Sequence, residues 1–195
     1  MKQTNNFDVV VVGGGHAGVE AAYAATKLGA KTLIVTFSED DLGQLSCNPA
    51  IGGLGKGQLV REIDELDGVM GRATDKAGIH YRILNKSKGP AVRALRVQTD
   101  RKLYREAVQE ILQEQENLVI REESVLEILT KGENAIGCSV NSGRAYFAEA
   151  VILTAGTFLA GKIHMGDLQT PGGRVGETAS SALAESMRGM TFRVG

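Results

Sequence analysis

Phe7-Asp8-Val9-Val10-Val11-Val12 runs without a break into Gly13-Gly14-Gly15-His16-Ala17-Gly18, and these twelve residues decide the fold. The apolar, β-branched run reads as a buried strand, and the glycines read as a turn that opens a helix. Gly13 permits the tight turn, Gly15 lets the backbone approach a pyrophosphate, and Gly18 lets the helix pack on the strand. The helix N-terminus is then a ready anion site. The helix runs through Val19 to Leu28 and stops at Gly29, a suitable C′ residue. Lys31-Thr32-Leu33-Ile34-Val35-Thr36 follows as a second strand and completes a βαβ unit of about 30 residues, the length the dinucleotide-binding motif requires. Glycines at this spacing also occur in plain tight turns; the strand before and the helix and strand after favour dinucleotide binding. One element departs from the pattern. The acid expected at the end of the second strand is replaced by Thr36 and Phe37, and whether Glu39 reaches back to the ribose stays open.

Outward from this unit, residues 38–57 form a polar, glycine-rich connection, longer than a compact domain needs unless it is functional. Helical spacing of Leu59, Val60, Ile63 and Leu66 predicts a helix from Gly57 to Leu66. Residues 67–98 are mixed, with a strand at Ile79–Leu84. A helix begins near Asp100, an acceptable N-cap, and carries Leu103, Ala107, Val108, Ile111 and Leu112 on one face. Leu118–Ile120 is the expected third parallel strand. Segments 124–129, 135–140 and 143–148 read as an antiparallel meander, and Ala150–Thr154 as a separate strand returning to the parallel sheet. Thr191–Gly195 looks like a further strand, which suggests a fragment of a longer chain. The fold class is therefore α/β, a doubly wound parallel sheet with a small meander, and this order of elements resembles an FAD-binding domain of the glutathione-reductase type. Residues 1–195 form one such domain, with inserted segments at about 38–98 and the meander at about 123–148.

Net charge of −1 and 43% hydrophobic residues fit an ordinary soluble protein, while 25 glycines against 5% aromatics suggest sites lined by backbone. No apolar run is long enough to span a bilayer and no signal segment starts the chain, so a cytoplasmic location without membrane association is expected. Cys47 and Cys138 form no metal-ligand spacing, and the histidines His16, His80 and His164 are scattered, which argues against a metal site. Charge is uneven: residues 76–105 hold nine bases and one acid, and the rest of the chain is correspondingly acidic. That segment suits an anionic partner, although a solvated helix face accounts equally for Arg101, Lys102 and Arg105.

Four separated motifs occur in order: Gly13–Gly18, Ser46-Cys47-Asn48-Pro49-Ala50-Ile51-Gly52-Gly53 with Lys56-Gly57, Lys88-Gly89-Pro90-Ala91-Val92-Arg93 with Arg96, and Gly156-Thr157-Phe158-Leu159 with Gly161-Lys162. Together they resemble the MnmG family, formerly the glucose-inhibited division protein A family, whose members are roughly three times longer. The resemblance implies an FAD-dependent tRNA-modifying enzyme that adds carboxymethylaminomethyl-type groups at the wobble uridine. It implies NADH as reductant, methylene-tetrahydrofolate as carbon donor, a homodimer and the MnmE GTPase as partner. The folate- and FAD-dependent tRNA uridine methyltransferase is a related alternative. A small-molecule flavin oxidoreductase and a non-catalytic FAD-binding fragment are rivals from other classes.

For the cofactor, the candidate residues are Gly13, Gly14, Gly15, His16, Ala17 and Gly18 at the turn. Ala155, Gly156 and Thr157 stand where the returning strand ends, and the resemblance adds Val125 at the adenine and Ser180. His16 either faces the flavin or simply fills the turn. Cys47 is the candidate catalytic residue. Backbone amides and Lys56 would activate it as a nucleophile toward C6 of uracil, whereas the plain alternative is a small thiol packing the loop. Cys138, in an apolar strand, reads as core.

Overall fold

The computed structural model describes residues 5–172 and 180–190; the expected strand at Thr191–Gly195 lies outside them. The elements run β1 (Asn6–Val12), α1 (His16–Lys27), β2 (Thr32–Thr36), β3 (Ala50–Gly52), α2 (Lys56–Glu65), α3 (Val69–Ala77), β4 (Gly78–Leu84), β5 (Ala94–Thr99) and α4 (Arg101–Gln113). They continue with β6 (Leu118–Glu122), β7 (Val125–Lys131), β8 (Asn134–Val140), β9 (Ala145–Leu153), β10 (Lys162–Met165), β11 (Leu168–Pro171) and α5 (Ser181–Arg188).

The main sheet has the order β6-β2-β1-β9-β8-β7. Its first four strands are parallel, with Val10 beside Leu33 on one side and Val151 on the other, and its last three are antiparallel. The period of two along each strand sorts the core into two layers. Val11 and Ile34 pack with Val19, Tyr23, Val69, Tyr104 and Ile111 of the helices, whereas Val10, Val12, Leu33 and Val35 pack with Val125, Ile128, Cys138, Tyr146 and Leu183. The expected α/β class holds, and the meander and α5 cover the second face. Val10, Val11, Leu33 and Ile34 are fully buried, each contributing about 1.5–3 kcal/mol of transfer free energy.

Three local readings change. The third meander strand and the returning strand are one element: β9 pairs with β8 through Ala145–Phe147 and with β1 through Phe147–Leu153. Ala148-Glu149-Ala150 contains no turn residue, so the extended chain simply exchanges partners. The mixed stretch 67–98 contains α3, missed because Gly68 and Gly71 punctuate it. Gly68 supplies no side-chain cap; instead the Glu20 carboxylate of α1 accepts the N–H groups of Val69 at 3.0 Å and Met70 at 2.7 Å. A carboxylate from a distant helix thus satisfies donors that the helix itself leaves orphaned. Finally, β3, β5 and β4 build a second, antiparallel sheet in that order, and β10–β11 form a hairpin. The Asp100 cap is as expected, its carboxylate accepting from the amides of Lys102 and Leu103 at 2.9 Å.

Candidate functional site

The glycine turn is fixed by its neighbours. Gly13 sits at φ +109°, its amide donates to the Val35 carbonyl at 2.9 Å, and a Cβ there would lie 2.6 Å from the Thr154 carbonyl oxygen. The Thr154 hydroxyl donates to the carbonyls of Val12 and Gly13, tying the end of β9 to the turn. A Cβ on Gly18 would strike the Gly13 carbonyl. Gly15 differs, since a Cβ there would meet no atom within 4 Å.

That open side faces a cavity of about 300 Å³ at the carboxyl ends of β1, β2 and β9. This is where a sheet whose strand order reverses around β1 leaves a crevice. Gly13, Gly14, Gly15, His16, Val125, Ala155, Gly156, Thr157 and Ser180 all line it. Ala17 and Gly18 do not; Gly18 is buried against the turn and Ala17 is exposed on α1. Ser180 arrives from far along the chain because its amide donates to the Phe158 carbonyl at 2.8 Å.

Several lining residues were not anticipated: Thr36, Phe37, Asp41, Gln44, Glu123 and Phe158. The rings of Phe37 and Phe158 meet with centroids 5.5 Å apart, which brings the end of β2 against the turn after β9. The departure from the motif at Thr36-Phe37 was the available signal. Glu39 is not a lining residue. Its amide donates to Glu122 at 2.7 Å, and the short helical turn it begins, capped by Ser38, carries Asp41 to the cavity instead. Glu123 is nearly buried and accepts from Ser142 and Tyr146, with Arg144 at 3.0 Å. Burial pushes its carboxyl up, but these bonds and the guanidinium outweigh it and hold the group below the usual carboxylate range.

Cys47 lines a second cavity of about 260 Å³ with Asn48, Gly52, Lys56 and Arg96. His16, Gln44 and Ser46 line both cavities, so the two share a wall. Cys47 is exposed, and its carbonyl accepts from the Arg101 guanidinium at 2.9 Å. Loss of water around its ammonium, and then the Arg96 guanidinium beside it, lower the pKa of Lys56. Cys138 is fully buried, and burial pushes its thiol up to about 12, consistent with a core role. Among the described residues no helix is long and apolar enough to cross a membrane.

The family model for Glucose inhibited division protein A matches residues 8–195. GidA of Aquifex aeolicus is 49% identical over 96% of this chain with a TM-score of 0.90, and the chain spans 31% of that protein's length. The GidA-related protein of Thermus thermophilus is 20% identical with a TM-score of 0.67, covering 96% of this chain and 69% of its own. PqsL of P. aeruginosa is 18% identical with a TM-score of 0.53, covering 75% and 42%. These last two likenesses are of fold alone.

Proposed function

The chain belongs to the glucose inhibited division protein A family, and from that premise we propose that it is the FAD-binding part of a tRNA-modifying flavoprotein that acts at the wobble uridine. In this reading residues 1–195 form one FAD-binding domain, interrupted at about 38–98 and carrying the meander at about 123–148. The observation that carries the reading is the open flank of Gly15 on a cavity that shares a wall with the pocket of Cys47. An extended dinucleotide suits such a pair of adjoining spaces.

The residues present fit FAD. The amides of Gly14 and Gly15 and the first turn of α1 would take the pyrophosphate, because a backbone without Cβ can come close and the helix end is positive. Val125 would meet the adenine through its backbone, Ala155, Gly156 and Thr157 would border the ribityl chain, and Ser180 would close the far wall. When bound, FAD supplies electron transfer to the carbon unit being installed. Cys47 would add through Sγ to C6 of uracil, moving the C5–C6 π pair to C5 and making that carbon the nucleophile. Arg101, holding the Cys47 carbonyl, would fix the loop that presents the thiol. The same reading brings NADH as reductant, methylene-tetrahydrofolate as carbon donor, a second copy of the chain, the MnmE GTPase and a cytoplasmic setting.

Gly15→Val in the intact protein tests it. The backbone at Gly15 has φ −68° and ψ 177°, which valine adopts, so the fold should persist while the added side chain fills the cavity and flavin absorbance falls at least tenfold. Retained flavin would overturn the assignment. Cys47→Ser, measured alongside, should keep flavin and lose wobble-uridine modification.

A further inference from the structure

The nine bases of residues 76–105 are not equivalent once folded. Lys76 pairs with Glu110 at 2.7 Å, Lys102 with Glu106 at 3.7 Å, and Arg105 with Asp40 at 3.4 Å. Arg101 donates to the Cys47 carbonyl and Arg93 to the Lys88 carbonyl. The cations on or against α4 are thus matched by acids or fixed to backbone. Those of the β4–β5 hairpin are not: among the described residues Arg82 and Arg96 enter no ion pair.

Register makes this unusual. Arg82 lies directly opposite Arg96, so the two side chains leave the sheet on the same face. Like charges at such a pair destabilise a sheet. His80 and Gln98 are the next pair along that face, while Ile83–Leu95 and Tyr81–Val97 occupy the other. The opposing strand brings Gly52 beside Arg96, and α2 sets Lys56 in the same pocket, close enough that Arg96 helps lower its pKa. Cys47 lines that pocket too. Lys86 and Lys88, in the connection from β4 to β5, extend the positive surface outward.

We propose that the polar face of the β4–β5 hairpin, from Arg82 across Arg96 to Lys56, is a phosphodiester track that leads a polynucleotide strand to Cys47. The proposal rests on the tRNA reading above. A single carboxylate would neutralise one of three neighbouring cations, whereas successive phosphates meet cations repeated along a face, and guanidiniums suit phosphate through paired N–H donors. A phosphate bound between the two arginines would offset the repulsion that their register sets up. The paired cations of α4 lie outside the track.

The test measures binding of a tRNA carrying an unmodified wobble uridine to the intact protein over a range of salt concentrations. Arg82→Gln with Arg96→Gln should weaken binding about 10- to 100-fold and flatten the slope of log affinity against log salt by about 0.7–0.9 per lost contact. A far-UV circular dichroism spectrum and an unfolding midpoint like the parent's show that the variant is folded. Lys102→Gln with Arg105→Gln should stay within about twofold of the parent. A parent that binds tRNA while the Arg82/Arg96 variant keeps its affinity and slope would overturn the track alone. So would a variant that loses only its response to methylene-tetrahydrofolate, since the cations would then serve a small anion. A parent that does not bind tRNA would overturn the tRNA reading and the track with it.

Discussion

The turn at Gly13–Gly18 and the polar face of β4–β5 are the two places proposed to receive negative charge, and they are made by opposite means. At the turn, chain order does the work. One strand, one turn and one helix place backbone amides at a crevice, and steric contact with Thr154 leaves Gly13 no room for a side chain. At the hairpin, strands separated by a loop must first align before Arg82 and Arg96 stand opposite each other. The first site is fixed by what cannot fit; the second is defined by charge left over after pairing. A site of the first kind should be destroyed by adding an atom, and one of the second kind should become slightly more stable when a functional group is removed.

The largest effect is expected at the turn. Gly13→Ala combines an unfavourable positive φ with a Cβ pressed on the backbone of Thr154, and should destabilise the protein by about 3 kcal/mol or more. Chemical denaturation read by far-UV circular dichroism checks this; a loss below about 1 kcal/mol would show that the turn can relax. Gly15, two residues away with nothing near its missing Cβ, should tolerate alanine in the same assay.

A smaller effect is expected at Glu123, in the wall of the first cavity. Its carboxyl is held below the usual range in the folded protein, so the stability it adds is fully present above the unfolded pKa near 4.5 and disappears as pH falls through the lower folded value. Glu123→Gln should therefore cost about 1–3 kcal/mol at pH 7, as expected for bonds to a charged acceptor, and the difference from the parent should shrink as pH drops below 4.5. A difference independent of pH would mean that packing, not charge, accounts for the role of Glu123.

The smallest effect sharpens the contrast. Arg82→Gln removes one member of a like-charge cross-strand pair and should stabilise the protein by about 0.2–0.5 kcal/mol at low salt. The gain should fade as salt screens the parent's repulsion. A destabilised variant would mean that Arg82 has a structural partner and that the face is not held in reserve for an anion.

Much of the fold was legible because its signals are local. The βαβ unit, the Asp100 cap and the strand at Ile79–Leu84 each follow from periodicity or from one capping residue, and they appear within a residue or two of where the sequence puts them. What escaped was set by distant partners. The helix at Val69–Ala77 depends on a cap lent by Glu20 from another helix, and the single strand Ala145–Leu153 is defined by two neighbours on different sides.

The sequence by itself determined that a glycine turn joins the first strand to the first helix, that a cysteine sits in a glycine-rich loop, and that positive charge is concentrated in residues 76–105. Composition, spacing and backbone sterics are properties of neighbouring residues. Only the tertiary structure decided that Asp41 rather than Glu39 reaches the cavity, and that the cations of α4 are spoken for while Arg82 and Arg96 are not. Those outcomes depend on register and on which acid lies within a few ångströms of which base, and distance in space is not encoded by distance along the chain.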